Sequence, residues 1–153
     1  MNTIIFYYPS DKNLAQQIAN KLKFPLGEVI FRSFPDKETY VRIVSEIKNK
    51  NIILVCSLNN PNEKLIPIIF FAETAKRLGA KNVGLVAPYL SYLRQDKEFN
   101  QGEAINSRIF APLLSQYIDW LVTLDPHLHR HHSLNEIYTI KADVLHAANL
   151  IAD

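Results

Sequence analysis

Residues 88–132 read PYLSYLRQDKEFNQGEAINSRIFAPLLSQYIDWLVTLDPHLHRHH. An apolar run meets a proline, a polar loop carrying Arg94 follows, and a helical pattern leads into a second apolar run that ends at Asp125-Pro126-His127. Two buried strands thus deliver charged and polar residues to one edge of a sheet. Open α/β sheets build sites this way, because loops at the carboxyl ends of parallel strands are free to carry chemistry while the strands stay buried.

The rest of the chain supplies the support. Residues 3–8 are a β-branched and aromatic run, and Asp11 stands where it would cap a helix bearing Leu14, Ile18 and Leu22 on one face. Residues 28–34 and 39–44 read as strands joined by a turn at Pro35-Asp36-Lys37-Glu38. Residues 51–57 and 82–87 lack polar alternation and are expected to be parallel strands buried on both faces. Between them Asn60 caps and Pro61 starts a helix that ends at Lys76-Arg77 and Gly79, with Pro67 placed to bend it. A helix over 103–117, a strand over 119–124, a short strand over 137–140 and a last helix from Asp143 to Ile151 complete the pattern. The alternation implies an α/β fold, a mostly parallel sheet flanked by helices, in a single domain over residues 1–153.

Composition narrows the function classes. Seventeen basic and fifteen acidic residues give a formal charge of +2, and the basic residues are scattered, so no field directs the chain to nucleic acid. No window approaches the roughly 18 consecutive apolar residues of a membrane helix, and the run from Ile4 is too short for a signal peptide. Cys56 is the sole cysteine, so no intrachain disulfide forms and a cytoplasmic, reducing setting is expected; inside IILVC it reads as a core residue. Glycines stand only at 27, 79, 84 and 102, which excludes both G-x-G-x-x-G and G-x-x-x-x-G-K-[ST].

Three polar clusters remain at strand ends. Phe34 with Asp36 and Glu38 sets a ring beside acceptors, as a purine and its exocyclic amine require; the plainer reading is a strand end and a solvated turn. Arg94, Gln95 and Asp96 combine a planar fork for phosphate oxygens, a donor–acceptor amide and a carboxylate to orient an arginine or meet a metal; the alternative is a solvated, mobile loop. Asp125 and His127, at i and i+2 in extended chain, fall on one side and suit a divalent ion held partly by substrate phosphates. With His129, His131 and His132 they also invite a zinc reading, although H-x-H-x-H-H matches no closed structural site. Together the clusters ask for a magnesium nucleotide.

The clusters sit in strings that resemble the amino-terminal half of ribose-phosphate pyrophosphokinase, also called phosphoribosyl pyrophosphate synthetase. Residues 34–38 resemble its F-x-D-G-E element, 59–65 its N-D-x-L-M-E-L helix start, 88–97 its P-Y-x-x-Y-x-R-Q-D-R segment, 103–108 its E-P-I-S-A-K helix and 124–127 its V-D-L-H element. The resemblance implies a type I phosphoribosyltransferase-like fold. It also implies transfer of the β,γ-diphosphoryl group of Mg-ATP to the C1 hydroxyl of ribose 5-phosphate, leaving AMP. Carried over by position, Phe34, Asp36, Lys37 and Glu38 belong to the adenine element, contributed by a neighbouring copy in a homo-oligomer. Arg94, Gln95 and Asp96 belong to the ATP segment, and His127 with Asp125 would ligate Mg2+. Three departures stand out: Lys37 replaces the family's glycine in a turn needing φ > 0, Lys97-Glu98 replaces two basic residues, and Pro126 replaces leucine. The family's second half, with its catalytic-lysine loop and D-D-x-x-x-[TS]-G-x-T ribose-phosphate loop, has no counterpart in this sequence. The expectation is an ATP-binding domain inactive alone. A non-catalytic regulatory or assembly relative is the alternative, followed by a histidine-based metal binder and, last, a true phosphoribosyltransferase.

Overall fold

A computed structural model describes residues 2–147. In chain order the elements are β1 (Thr3–Tyr7), α1 (Lys12–Leu22), β2 (Val29–Ser33), β3 (Thr39–Ile43), β4 (Asn51–Val55), α2 (Pro61–Arg77), β5 (Asn82–Ala87), α3 (Asn106–Ser115), β6 (Trp120–Leu124) and β7 (Lys141–Leu145), with 3-10 turns at Pro9–Asp11 and Leu134–Glu136. Five strands form one sheet in the order β1-β4-β5-β6-β7, every pair parallel. The apolar runs are central because both faces are covered. Ala15 and Ala19 of α1 pack on Ile5 and Val55. On the other face, Ile68 and Phe71 of α2 and Phe110 and Leu114 of α3 join Phe6, Leu54 and Leu85.

The winding reverses beside β1. After α1 the chain returns along the outer side of β1, where Leu26 bridges Ile5 and the Gly27 N–H donates to the Ile5 carbonyl at 2.7 Å. It then forms the antiparallel β2–β3 ribbon, a separate two-stranded sheet, and enters β4 on the other side of β1. Such a reversal opens a crevice at the carboxyl ends of the two strands. The ribbon packs over α2, with the Phe31 ring centroid 6.0 Å from that of Phe71.

Several boundaries differ from the sequence expectation. Asp11 and Asn60 occupy the N-cap positions of α1 and α2, but neither side chain makes a capping bond; the Asp11 carboxylate accepts from Ser10 Oγ at 2.7 Å instead. Helix α2 continues through Pro67 to Arg77. Helix α3 begins at Asn106 rather than 103, because Glu103 spends its carboxylate on the preceding loop. The strand expected over 137–140 is absent: Ile137 and Tyr138 are buried against the core after a 3-10 turn, and the strand is β7, which pairs along the side of β6 that would otherwise be open. Asp143 lies inside β7 and caps no helix there; residues 148–151 of the expected helix fall outside the described residues. Among the described residues no helix is long and apolar enough to cross a membrane.

Candidate functional site

The carboxyl ends of β4, β5 and β6 surround a cavity of about 510 Å³. Asn59, Asn60 and Pro61 line it from the loop before α2, Tyr89 to Gln95 from the loop after β5, and Leu124 to His127 from the loop after β6. The first two loops are tied by a main-chain bond from the Leu58 N–H to the Tyr89 carbonyl at 2.8 Å, and the Cys56 N–H donates to the Val86 carbonyl of β5 at 2.9 Å. Four residues expected to act together therefore share one cavity: Arg94, Gln95, Asp125 and His127. Arg94 is exposed and forms no ion pair among the described residues, so its fork is free for an anion.

The Gln95 loop is built around one carboxylate. Glu103 accepts from Gln95 Nε2 at 3.1 Å, from the Phe99 N–H at 3.0 Å and from Asn100 Nδ2 at 2.6 Å. The hydrogen bonds from Asn100 lead the causes that hold its carboxyl below the usual range. The Gln95 carbonyl accepts from the Ser107 N–H at 3.2 Å, which attaches the loop to the first turn of α3. Asp96 points the other way. Its side chain is 1% exposed, does not line the cavity, and receives Arg130 Nη1 at 2.6 Å.

Asp125 is not in extended chain: its φ is +35°, so the geometry that would align it with His127 by simple alternation does not hold. The left-handed turn nevertheless leaves both on the cavity wall. One Asp125 oxygen accepts the Ala147 N–H at 3.0 Å and the other meets His146 Nδ1 at 3.1 Å; the Ala147 bond, then His146, hold the carboxyl below its usual range. Each carboxylate oxygen can accept a second partner, so Asp125 keeps capacity for a cation. The histidines do not converge. His127 and His129 stack at 6.1 Å between centroids, whereas His131 lies between Ser107 Oγ at 3.4 Å and Glu136 at 3.3 Å. Among the described residues no three His, Cys, Asp or Glu side chains form a metal cluster, so Asp125 and His127 fit only an ion whose other ligands come from a substrate and water.

The hairpin cluster lies elsewhere. A cavity of about 970 Å³ separates the β2–β3 ribbon from the first half of α2, and Lys37 and Glu38 line it. Phe34 and Asp36 are outside that lining. Phe34 is exposed, edge-on to Tyr40 at 6.0 Å, and Arg32 stacks over both rings at 5.3 and 4.2 Å. Asp36 Oδ1 accepts the Glu38 N–H at 3.1 Å and closes the turn. Lys37 has φ +71°, so the turn does take the left-handed conformation expected where the family carries glycine.

Two residues escaped the sequence reading. Lys64, 5% exposed, fills the crevice between β1 and β4, donating to Asn59 Oδ1 at 2.6 Å, the Ser57 carbonyl at 2.7 Å and Ser10 Oγ at 3.4 Å. The signal was present: Lys64 lies four and seven positions before Ile68 and Phe71, on the buried stripe of α2. Arg130 is hidden among the histidines, and nothing local marks its partner.

Comparisons with known proteins agree with this architecture. The chain is 36% identical over 126 residues to the ribose-phosphate pyrophosphokinase of Saccharolobus solfataricus, covering 81% of this chain and 43% of that protein. It is 33% identical over 151 residues to ribose-phosphate pyrophosphokinase 1 of Streptococcus pneumoniae, covering 97% and 46%. The crystal structure of phosphoribosylpyrophosphate synthetase from Mycobacterium smegmatis superposes with a TM-score of 0.89 at 25% identity, over 99% of this chain and 50% of that one. The mostly parallel, helix-flanked sheet is thus shared with that synthetase and is of the phosphoribosyltransferase-like kind. The chain spans about half the length of the relatives it matches. The family model described as the N-terminal domain of ribose phosphate pyrophosphokinase matches residues 3–117 of the 153, and the chain belongs to that family.

Proposed function

We propose that this chain is the ATP-binding half of a ribose-phosphate pyrophosphokinase. It holds Mg-ATP for transfer of the terminal diphosphoryl group to the C1 hydroxyl of ribose 5-phosphate, giving phosphoribosyl pyrophosphate and AMP. The observation that carries the reading is the shared cavity of Arg94, Gln95, Asp125 and His127. The Arg94 guanidinium takes phosphate oxygens, Gln95 is held by Glu103 to donate or accept at its edge, and Asp125 with His127 would hold the metal. Magnesium, when bound, neutralises charge on the phosphates. Phe34, Asp36, Lys37 and Glu38 serve adenine in a neighbouring copy of a homo-oligomer, which accounts for their distance from the Arg94 cavity within one chain. Alone the polypeptide does not turn over, and a reducing cytoplasm is its setting.

Calorimetric titration of Mg-ATP into the chain and its Arg94→Ala variant, with light scattering for assembly state, tests the proposal. Saturable binding lost in the variant supports it. An assembled, folded chain whose ATP binding is indifferent to Arg94→Ala overturns it, and so does AMP release from ATP and ribose 5-phosphate by this polypeptide alone.

A second reading, a non-catalytic relative that keeps the fold and assembly surface, has its own support. The Glu98 carboxylate accepts the Gly102 N–H of its own loop, and Lys37 carries the left-handed turn. Absence of Mg-ATP binding even when a second domain from a relative is supplied favours it.

A further inference from the structure

We propose that Arg130 is a positioning residue of the site: its ion pair with Asp96 locks the loop of Arg94 and Gln95 to the loop of Asp125 and His127. Asp96 follows Gln95 directly, and Arg130 lies three residues beyond His127. A single contact, Arg130 Nη1 to Asp96 Oδ1 at 2.6 Å, therefore joins the two walls of the cavity close to the side chains that face it.

Three further features make this a lock rather than a chance surface pair. The Asp96 carboxylate is 1% exposed, and among the described residues its Oδ2 has no hydrogen-bond partner and Arg130 is the only cation within ion-pair distance. Burial alone would raise its carboxyl, yet the hydrogen bond and charge of Arg130 hold it below the usual range. The Arg130 guanidinium also lies 5.4 Å from the Phe99 ring centroid, and Lys97 Nζ lies 4.9 Å from the same ring, so the far arm of the Arg94 loop is gripped as well. Lastly, Ser107 Oγ meets His131 Nε2 at 3.4 Å, adding a second tie between the start of α3, where the Gln95 carbonyl is anchored, and the loop bearing Arg130.

Arg130 itself is exposed, but removing it leaves the buried Asp96 carboxylate uncompensated, which is more disruptive than losing a pair whose two members both face water. The two walls consequently move as one unit. An anion-binding fork and a cation-binding carboxylate are held at a set span before any ligand arrives, which lowers the ordering cost of binding. What the walls hold rests on the nucleotide reading above; the lock itself does not.

The test is hydrogen exchange on the free chain, comparing wild type with Arg130→Met and Arg130→Lys. In Arg130→Met, amides of residues 97–102 and of residues 128–132 exchange roughly tenfold faster or more, while those of β1 and β4 are unchanged. Arg130→Lys, which keeps the charge without the fork, falls between. Acceleration confined to residues 128–132, or none in either loop, overturns the proposal. If Arg130→Met does not fold, the Arg130→Lys comparison decides on the same criterion. A double-mutant cycle adds a reading that a merely structural role would not move: the loss of Mg-ATP affinity on Arg94→Ala shrinks severalfold in the Arg130→Met background. Joint loop acceleration in Arg130→Met, together with a wild-type chain that binds no Mg-ATP, sinks the nucleotide reading and leaves the lock standing. Mg-ATP binding without loop coupling does the reverse.

Discussion

Gly84 and Trp120 are direct partners across β5 and β6, and the indole of Trp120 occupies the space where a side chain at position 84 would begin. A Cβ built on Gly84 overlaps Cε2, Cζ2 and Cδ2 of the ring. The strands that launch the two cavity loops are thus held side by side by a ring lying on a bare backbone. Gly84→Ala is expected to destabilise the chain by about 3 kcal/mol, the upper range for overpacking. Trp120→Leu in the same chain recovers part of the loss, because the clash is specifically with the ring. Urea midpoints of the two single variants and the double variant check this; additive losses would contradict it.

Lys64 occupies the crevice where the winding reverses. Its ammonium meets three oxygens and, among the described residues, no carboxylate within salt-bridge distance. Lys64→Met keeps the apolar stem but strands the Ser57 carbonyl and the Asn59 amide oxygen. The expected cost is about 2–3 kcal/mol in chemical denaturation. A loss below about 0.5 kcal/mol would show that water satisfies those oxygens instead.

Cys56 is fully buried, and desolvation pushes its thiol from an ordinary 9.0 up to about 12, against a smaller opposing pull from Lys64. Because the folded value is the higher one, its stabilising contribution is complete below about pH 9 and is lost as the unfolded chain ionises between pH 9 and 12. The expected slope from this one group is about 1.4 kcal/mol per pH unit in that window. Stability measured at pH 8, 10 and 11 should fall less steeply in Cys56→Ala than in wild type. At pH 8 the native thiol should also resist alkylation until the chain unfolds.

Lys37 holds φ +71° at the tip of the hairpin, hydrogen-bonded to the Phe34 carbonyl through its N–H at 2.9 Å. A left-handed non-glycine residue costs about 1–2 kcal/mol, and glycine returns part of that through its greater freedom when unfolded. Lys37→Gly should raise stability by about 0.5–1 kcal/mol, read as a higher thermal midpoint. No change, or a decrease, would mean that the lysine side chain makes a compensating contact across the hairpin cavity.

Much of the fold was legible because burial on both faces leaves a local trace. The unbroken apolar runs of β4, β5 and β6 need no knowledge of their neighbours to be read as strands, and the polar residues that end each run fall at the sheet edge by necessity. The placement of Arg94, Gln95, Asp125 and His127 on one cavity follows from that topology. Partner choice leaves no such trace. Asp96 turns away from the cavity to Arg130, 34 residues on; Glu103 gathers its own loop instead of opening a helix; and β7 forms where a helix cap was expected. A short charged string is compatible with a solvated loop, a ligand site or a buried ion pair, and the deciding term is the desolvation each side chain meets. That term is set by residues far away in the chain, so the sequence alone determined the strands and the edge they feed, while tertiary structure decided which of the charges at that edge face a ligand and which hold the edge together.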